Sequence, residues 1–105
     1  MEVAMQQFVD TKITEAKPIS GINFGLALEA AKKGRRIARA GWNGKDQWVE
    51  LGKNFRYENV GGDLWHTSHE DIGGQALIFH GTRGQQVGWL ASQADMLAED
   101  WMVLD

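Results

Sequence analysis

The chain has 105 residues, of which 43% are hydrophobic and 24% charged, and its formal net charge is −3. This length predicts one domain, and the acidic balance argues against a nucleic-acid binder that neutralises phosphates with a basic face. The absence of cysteine excludes disulfides, thiolate catalysis and cysteine-ligated zinc. The sequence contains neither a run of about 20 apolar residues nor a signal-peptide pattern, so we expect a cytosolic protein without a membrane partner.

The chain is predicted to begin with an extension. We assign residues 1–21 to this N-terminal extension, in which residues 8–14 can pair as an edge strand, and residues 22–105 to a single domain. Pro18 and Gly21 interrupt the chain shortly before the domain begins.

An amphipathic helix is predicted from about residue 24 to residue 33. Asn23 can cap its first turn, and Gly34 suits the left-handed position that follows a helix. The apolar residues recur at the i, i+3, i+4, i+7 spacing of one helix face: Phe24, Ala27, Leu28 and Ala31. Basic residues that can attract a small phosphorylated ligand occupy the last turn of this helix and the segment after it: Lys32, Lys33, Arg35, Arg36 and Arg39.

Short strands follow the helix. Residues 37–40 are predicted to form a strand that leads into Asn43-Gly44, a strong signal for a two-residue hairpin turn. Residues 47–51 are predicted to form the return strand. Residues 52–74 are rich in glycine and polar groups, so we predict that most of this segment is loop.

The rest of the chain predicts a second hairpin and a short helical turn. Residues 75–80 and 85–89 form the hairpin over the turn at 81–84, and residues 101–104 form a final strand. Ser92 with Asp95 three residues later is typical of a capping box with the shorter acid. The predicted fold class is therefore α+β: a small, mainly antiparallel sheet with one amphipathic N-terminal helix and a short C-terminal helical turn.

The histidines are the obvious candidates for catalysis or metal binding. His66 and His69 are three residues apart with acids alongside, but they lie in a glycine-rich segment without a helix to fix their geometry. We interpret this segment as a solvated loop and His80 as a surface strand residue. No nucleophile elbow and no phosphate-binding glycine loop occurs in the sequence, so we predict no catalytic residue, no metal site and no cofactor.

Two segments combine tryptophan with short polar side chains, at residues 39–44 and 89–101. An exposed indole offers a stacking face, and amide or carboxylate groups can hydrogen-bond a base or a ribose. The alternative is structural: Trp42 caps the core beside a turn, Ser92 and Asp95 only cap a helix, and apolar residues of the second segment fill the core. Those apolar residues are Leu90, Met96, Leu97 and Trp101.

Three motifs resemble the Thoeris anti-defense 2 family over about residues 22–105: NFGLALEA at 23–30, RAGWNG at 39–44 and WLASQADMLAEDW at 89–101. The resemblance implies a phage- or prophage-encoded protein in the host bacterial cytoplasm, without enzymatic activity. It would bind the cyclic ADP-ribose isomers made by TIR-domain enzymes and withhold them from the Thoeris effector. It further implies a homotetramer with signal pockets at subunit interfaces, no DNA or RNA partner and, in some members, a separate site for CBASS cyclic oligonucleotides.

On this interpretation seven residues are predicted to bind the ligand. Trp42 and Trp89 are stacking or wall residues, Asn43 and Gln93 read a base or ribose, Ser92 and Asp95 make polar contacts, and Arg39 contacts phosphate. The sequence departs from the family at the extension, between residues 51 and 75, and at Ala94, where threonine is common. Two rival hypotheses remain: an accessory protein that binds another protein through an exposed tryptophan, and a hydrolase that uses His66 or His69.

Overall fold

The structure is a computed structural model, and it describes residues 7, 17–42, 46–53, 56–58, 61, 64–66 and 74–104. The strand predicted over residues 8–14 lies outside the described residues. In chain order the described elements are β1 (Ile19–Ile22), α1 (Phe24–Lys32), β2 (Ile37–Arg39), β3 (Trp48–Lys53), β4 (Arg56–Glu58), β5 (Leu64–His66), β6 (Gln75–Gly81), β7 (Gly84–Val87), α2 (Gln93–Leu97) and β8 (Trp101–Val103).

A six-stranded antiparallel sheet organises the fold, with the strand order β1-β8-β2-β3-β6-β7. The final strand predicted over residues 101–104 is confirmed as β8, but it lies inside the sheet, between β1 and β2. Its pairing places Trp101 opposite Arg39 and Val103 opposite Ile37. β1 supplies two buried core residues, Ile19 and Ile22, so the sheet includes residues that precede the predicted boundary at residue 22.

The predicted helix is confirmed as α1, with both of its end signals. The Asn23 side chain accepts a hydrogen bond from the Leu26 amide at 2.9 Å, and Gly34, just beyond the C-cap, has a φ of +89°. Three alanines of the helix are fully buried: Ala27, Ala30 and Ala31. Because alanine has a short side chain, the helix backbone can lie close to the sheet.

Both predicted strand pairs form. β6 and β7 are confirmed as a tight hairpin in which Gly81 is opposite Gly84. β2 and β3 are antiparallel neighbours, but their strands stop at Arg39 and Trp48, so the connection is longer than a two-residue turn. The Asn43-Gly44 turn itself lies outside the described residues. Between residues 52 and 74 the chain forms β4 and β5, a separate two-stranded ladder that the glycine-rich composition did not predict.

The hydrophobic core lies between α1 and one face of the sheet. Its largest fully buried side chains come from β2, β3 and β8: Ile37, Val49, Trp101 and Val103. Since side chains alternate along a strand, the neighbouring residues Ala38, Trp48 and Met102 face the other side of the sheet. These three residues line a cleft on this second face of the sheet.

Candidate functional site

Arg39 joins two carboxylates at one end of β2. Its Nη1 donates to Asp95 Oδ1 at 2.9 Å and its Nε donates to Asp100 Oδ1 at 2.8 Å. The pairing of Arg39 with Trp101 brings the guanidinium beside the acids that precede β8. The Arg39 and Asp95 side chains are only 19% and 13% exposed, so this pair is largely shielded from solvent, whereas Asp100 is 34% exposed.

The same cluster fixes the chain just after β2. Asp100 Oδ2 accepts a hydrogen bond from the Gly41 amide at 2.7 Å. A Cβ atom on residue 41 would lie 2.8 Å from that oxygen, which is closer than van der Waals contact allows. A side chain at residue 41 would therefore displace the Asp100 carboxylate and disturb its hydrogen bond with the residue 41 amide.

Hydrogen bonding keeps all three groups charged. The hydrogen bond from Arg39 lowers the pKa of Asp100 below its ordinary value of 3.8. Burial opposes ionisation of Asp95, but hydrogen bonds from Trp42, Arg39 and Ser92 outweigh it and lower its pKa. The hydrogen bonds to Asp100 and Asp95 in turn raise the pKa of Arg39. One guanidinium is thus shared by two carboxylates, and a phosphate at Arg39 would compete with both.

Four aromatic rings pack against one another beside the cluster and include both tryptophans of the predicted site. Trp42 Nε1 donates to Asp95 Oδ1 at 3.0 Å, and Trp101 Nε1 donates to the Asp95 carbonyl at 2.8 Å. The Trp42 ring meets Phe79, Trp101 and Trp89 edge-to-face at centroid distances of 5.3, 5.3 and 6.1 Å. Trp42 is half-buried, so much of its ring surface is already covered by aromatic neighbours.

The capping box predicted at Ser92 is confirmed. Ser92 Oγ accepts from the Asp95 amide at 3.0 Å, and Asp95 Oδ2 accepts from the Ser92 amide at 3.2 Å. Gln93 is exposed in the first turn of α2. The structure therefore brings together Arg39, Trp42, Trp89, Ser92 and Asp95, places Gln93 at the adjoining surface and leaves Asn43 outside the described residues.

The structural alternative, in which Leu90, Met96, Leu97 and Trp101 fill the core, is wrong for three of these four residues. Leu90 is 87% exposed, Leu97 77% and Met96 42%. Trp101 is fully buried, as expected. The five-residue helix is held by its cap and by the Trp101 indole, and its apolar side chains Met96 and Leu97 lie on the surface.

A cleft of about 670 Å³ opens beside the ion-pair cluster. Arg39 and Trp42 from the predicted set line it, and Arg36 and Trp48, which were not predicted as site residues, line it as well. The full described lining is Pro18, Arg36, Ala38, Arg39, Ala40, Trp42, Asp46, Gln47, Trp48, Met102 and Leu104. The alternation of Trp48 with Val49 in the sequence indicated that Trp48 faces the second side of the sheet. Arg36 was part of the basic run identified in the sequence.

Trp48 belongs to a second group of stacked side chains. Its ring lies on the His80 ring at a centroid distance of 3.7 Å with 12° between the planes. The Arg36 guanidinium carbon lies 5.1 Å from the Trp48 ring centroid. His80 lies on a strand, as predicted, but it is not the surface residue expected, since its side chain is only 17% exposed. Its Nε2 atom is buried, has no hydrogen-bond partner among the described residues and lies 3.7 Å from Glu50 Oε2.

The structure describes no site at His66 and His69. The His66 side chain and all of His69 lie outside the described parts of the chain. Within the described ranges, no three histidine or acidic side chains converge as metal ligands, and no helix there is long and apolar enough to cross a membrane.

Comparison with known proteins identifies a family and a relative. The family model described as Thoeris anti-defense 2-like domain matches residues 22–104. The chain is also similar to a protein described as Thoeris anti-defense 2 from Bacillus phage SP01. The two are 31% identical over 84 residues, which cover 79% of this chain and 94% of that protein. The matched range includes the ion-pair cluster and every described lining residue of the cleft except Pro18.

Proposed function

This chain belongs to the Thoeris anti-defense 2-like family, and we propose that it blocks Thoeris immunity by sequestering a cyclic ADP-ribose-type signal without cleaving it. The signal would be the product of a TIR-domain enzyme, and the protein would act in the host bacterial cytoplasm, where that product is made. A phage anti-defense role follows from the family, and the identity of the ligand is the proposal.

The observation that carries this proposal is the composition of the cleft. Its volume of about 670 Å³ lies within the roughly 300–1,000 Å³ of small-molecule sites. Two indoles, Trp42 and Trp48, and two guanidinium groups, Arg36 and Arg39, line it. A cyclic ADP-ribose isomer carries an adenine ring and a pyrophosphate, for which indoles offer stacking faces and arginines offer paired donors.

The residues predicted from the sequence enter this proposal in two groups. Arg39 and Trp42 form a wall of the cleft, and Asp95 and Ser92 hold that wall in place through the cluster and the capping box. We propose Asn43, Trp89 and Gln93 as further ligand contacts. A second site for cyclic oligonucleotides of the CBASS pathway is an additional proposal that rests on the family resemblance alone.

We also propose that the protein assembles as a homotetramer. The support is the exposure of large apolar side chains at one end of the sheet and around α2, which are costly to leave in water if they form a contiguous patch. They are Val87, Leu90, Met96 and Leu97. Pockets at the subunit interfaces would then add partner residues to the ligand site.

The same exposed side chains favour a second candidate function, an accessory module that binds another protein. The two functions differ in what accompanies the protein during infection. Recovery of a stoichiometric protein partner and no nucleotide from infected cells would support the accessory module.

The test of sequestration follows the fate of the ligand. Purified protein is incubated with the product of an activated TIR-domain enzyme, free nucleotide is removed, and the protein is heat-denatured before the supernatant is analysed. We expect an intact cyclic ADP-ribose isomer at about one equivalent per site. A degraded product would instead indicate an enzyme, and an empty supernatant with untouched signal in the wash would contradict the proposal. Protein denatured before incubation is the control for carry-over.

A further inference from the structure

The turn that follows β2 forms one wall of the cleft. Arg39, Ala40 and Trp42 all belong to the described lining. The Trp42 amide donates to the Arg39 carbonyl at 3.3 Å and closes the turn. Any contact that fixes this turn therefore also fixes the wall of the cleft.

Asp100 binds three consecutive residues of this turn. Its Oδ1 accepts from Arg39 Nε at 2.8 Å, its carbonyl accepts from the Ala40 amide at 3.1 Å, and its Oδ2 accepts from the Gly41 amide at 2.7 Å. Asp100 can reach all three because β8 pairs with β2, with Arg39 opposite Trp101. Asp100 itself is not among the described residues that line the cleft, so its hydrogen bonds act on the wall.

The two acids of the ion-pair cluster hold different parts of the turn. Trp42 Nε1 donates to Asp95 Oδ1 at 3.0 Å, and Arg39 Nη1 donates to the same oxygen at 2.9 Å. Asp95 thus holds the two side chains of the wall, whereas Asp100 holds its backbone as well as the Arg39 guanidinium. Of these two acids, only Asp95 was predicted from the sequence as a site residue.

Gly41 offers a way to disturb Asp100 without removing a polar group. The φ angle of Gly41 lies outside the left-handed region, so the backbone itself permits alanine there. A Cβ atom at residue 41 would lie 2.8 Å from Asp100 Oδ2 and 3.4 Å from Arg39 Nη2. An alanine would therefore push the carboxylate away from the turn while every charged group of the cluster stays in the chain.

We propose that Asp100 is a positioning residue for the ligand cleft, and that it holds the turn of residues 39–42 in the conformation that forms the wall. A surface that is already ordered before the ligand arrives loses little conformational entropy on binding. Without the Asp100 contacts, the ligand itself would have to order the turn, and its affinity would fall. This inference rests on the proposed function, and it adds to the site a residue that the sequence analysis did not assign.

The first test measures the affinity of Asp100 variants for a purified cyclic ADP-ribose isomer by titration calorimetry, at a temperature at which circular dichroism shows each variant folded. Asp100→Ala removes both side-chain contacts and should bind about 10- to 100-fold more weakly. Asp100→Asn keeps an acceptor for the Gly41 amide but loses the charge that binds Arg39, so its affinity should lie between those of wild type and Asp100→Ala. Glu99→Ala is the matched control, because it removes an exposed acid from the neighbouring position, and it should remain within about twofold of wild type.

The second test approaches the same contact from the turn. Gly41→Ala should weaken binding about tenfold in the wild-type background. In the Asp100→Ala background it should cost less than about twofold further, since the carboxylate that it displaces is already gone. Gly25→Ala is the control, because a Cβ atom there would come no closer than 3.4 Å to another atom. Additive losses from Gly41→Ala and Asp100→Ala would contradict the inference.

A third readout needs no ligand and is therefore independent of the proposed function. The indole N–H resonance of Trp42, assigned by NMR from its loss in Trp42→Phe, reports on the wall because this group donates to Asp95. We expect the resonance to shift in Asp100→Asn and in Gly41→Ala, and to keep its wild-type position in both control variants.

Each outcome bears on one hypothesis. If wild type binds the cyclic isomer and the folded Asp100 variants bind it equally well, Asp100 serves stability alone, so the positioning role is wrong and sequestration stands. If wild type binds no cyclic isomer, the proposed function fails, and the Trp42 resonance alone decides whether Asp100 positions the wall. A resonance that stays unchanged in both Asp100→Asn and Gly41→Ala would overturn the inference.

Discussion

Replacement of Asp95 with alanine removes the acceptor at the centre of the ion-pair cluster. The Asp95 carboxylate accepts hydrogen bonds from Arg39 Nη1, Trp42 Nε1 and the Ser92 amide. The alanine variant therefore leaves the Trp42 indole N–H without its partner and removes one of the two carboxylates that bind Arg39. It also removes the Asp95 half of the capping box. The variant would lose binding of the proposed ligand together with part of its stability.

The size of the effect can be worked out contact by contact. A half-buried indole N–H without a partner costs about 1 kcal/mol, the lower end of the range for unsatisfied donors. The lost contact with Arg39, which is 19% exposed and keeps Asp100, contributes about 1–1.5 kcal/mol. The lost half of the cap adds about 0.5 kcal/mol. We expect the free energy of unfolding to fall by about 3 kcal/mol, a large part of the roughly 5–15 kcal/mol that stabilises a domain.

Urea unfolding at a fixed protomer concentration measures this loss, since any self-association makes stability concentration-dependent. Glu99→Ala is the matched control, because Glu99 is an exposed acid on the same segment and should change stability by no more than about 0.5 kcal/mol. Combining Asp95→Ala with Trp42→Phe, which removes the indole donor, should reduce the cost of the aspartate change by about 1 kcal/mol. An Asp95→Ala variant as stable as Glu99→Ala would refute the account of the cluster.

Three further predictions concern other parts of the molecule. Because the pKa values of Asp95 and Asp100 are lowered in the folded protein, their stabilisation is complete above the ordinary carboxyl value of 3.8. This stabilisation should be lost as pH falls below 3.8. Asp100→Asn removes one of the two carboxyl groups, so the melting temperature of this variant should depend less on pH in the acid range. His80→Phe should keep the stack and remove a buried nitrogen that has no hydrogen-bond partner in the described part of the chain, so its melting temperature should equal or exceed that of wild type. A loss as large as that of His80→Ala would mean that the nitrogen is satisfied. Leu90→Ser with Leu97→Ser should reduce the mass measured by light scattering without lowering the melting temperature of the protomer, and an unchanged mass would remove these residues from the proposed tetramer interface.

The elements that the sequence predicted are those with local signals. The limits of α1 follow from Asn23 and Gly34, the second hairpin from its glycine turn, and the capping box from the spacing of Ser92 and Asp95. Each of these signals lies within a few residues of the structure that it determines. This is why one sequence sufficed to predict them.

The features that escaped prediction depend on residues far apart in the chain. The insertion of β8 between β1 and β2 puts Arg39 opposite Trp101, and only that register shows that both nearby acids pair with the arginine. The contact between Trp48 and His80 likewise depends on the pairing of β3 with β6. Alternation along each strand indicated which residues share a face, but strand order and register decided which of them meet.

The interior position of β8 also bears on how the domain is synthesised. Ile19 pairs with Val103, and β8 is the neighbour of β1 in the described sheet, so the earliest of these strands stays unpartnered until the latest has left the ribosome. A nascent chain that has completed α1 and the β6–β7 hairpin still exposes the strand edges that β8 will cover. We therefore expect the sheet to assemble only after synthesis has passed residue 103, with slow, non-local strand pairing as its last step. The delay before folded protein accumulates would then include this folding time as well as translation.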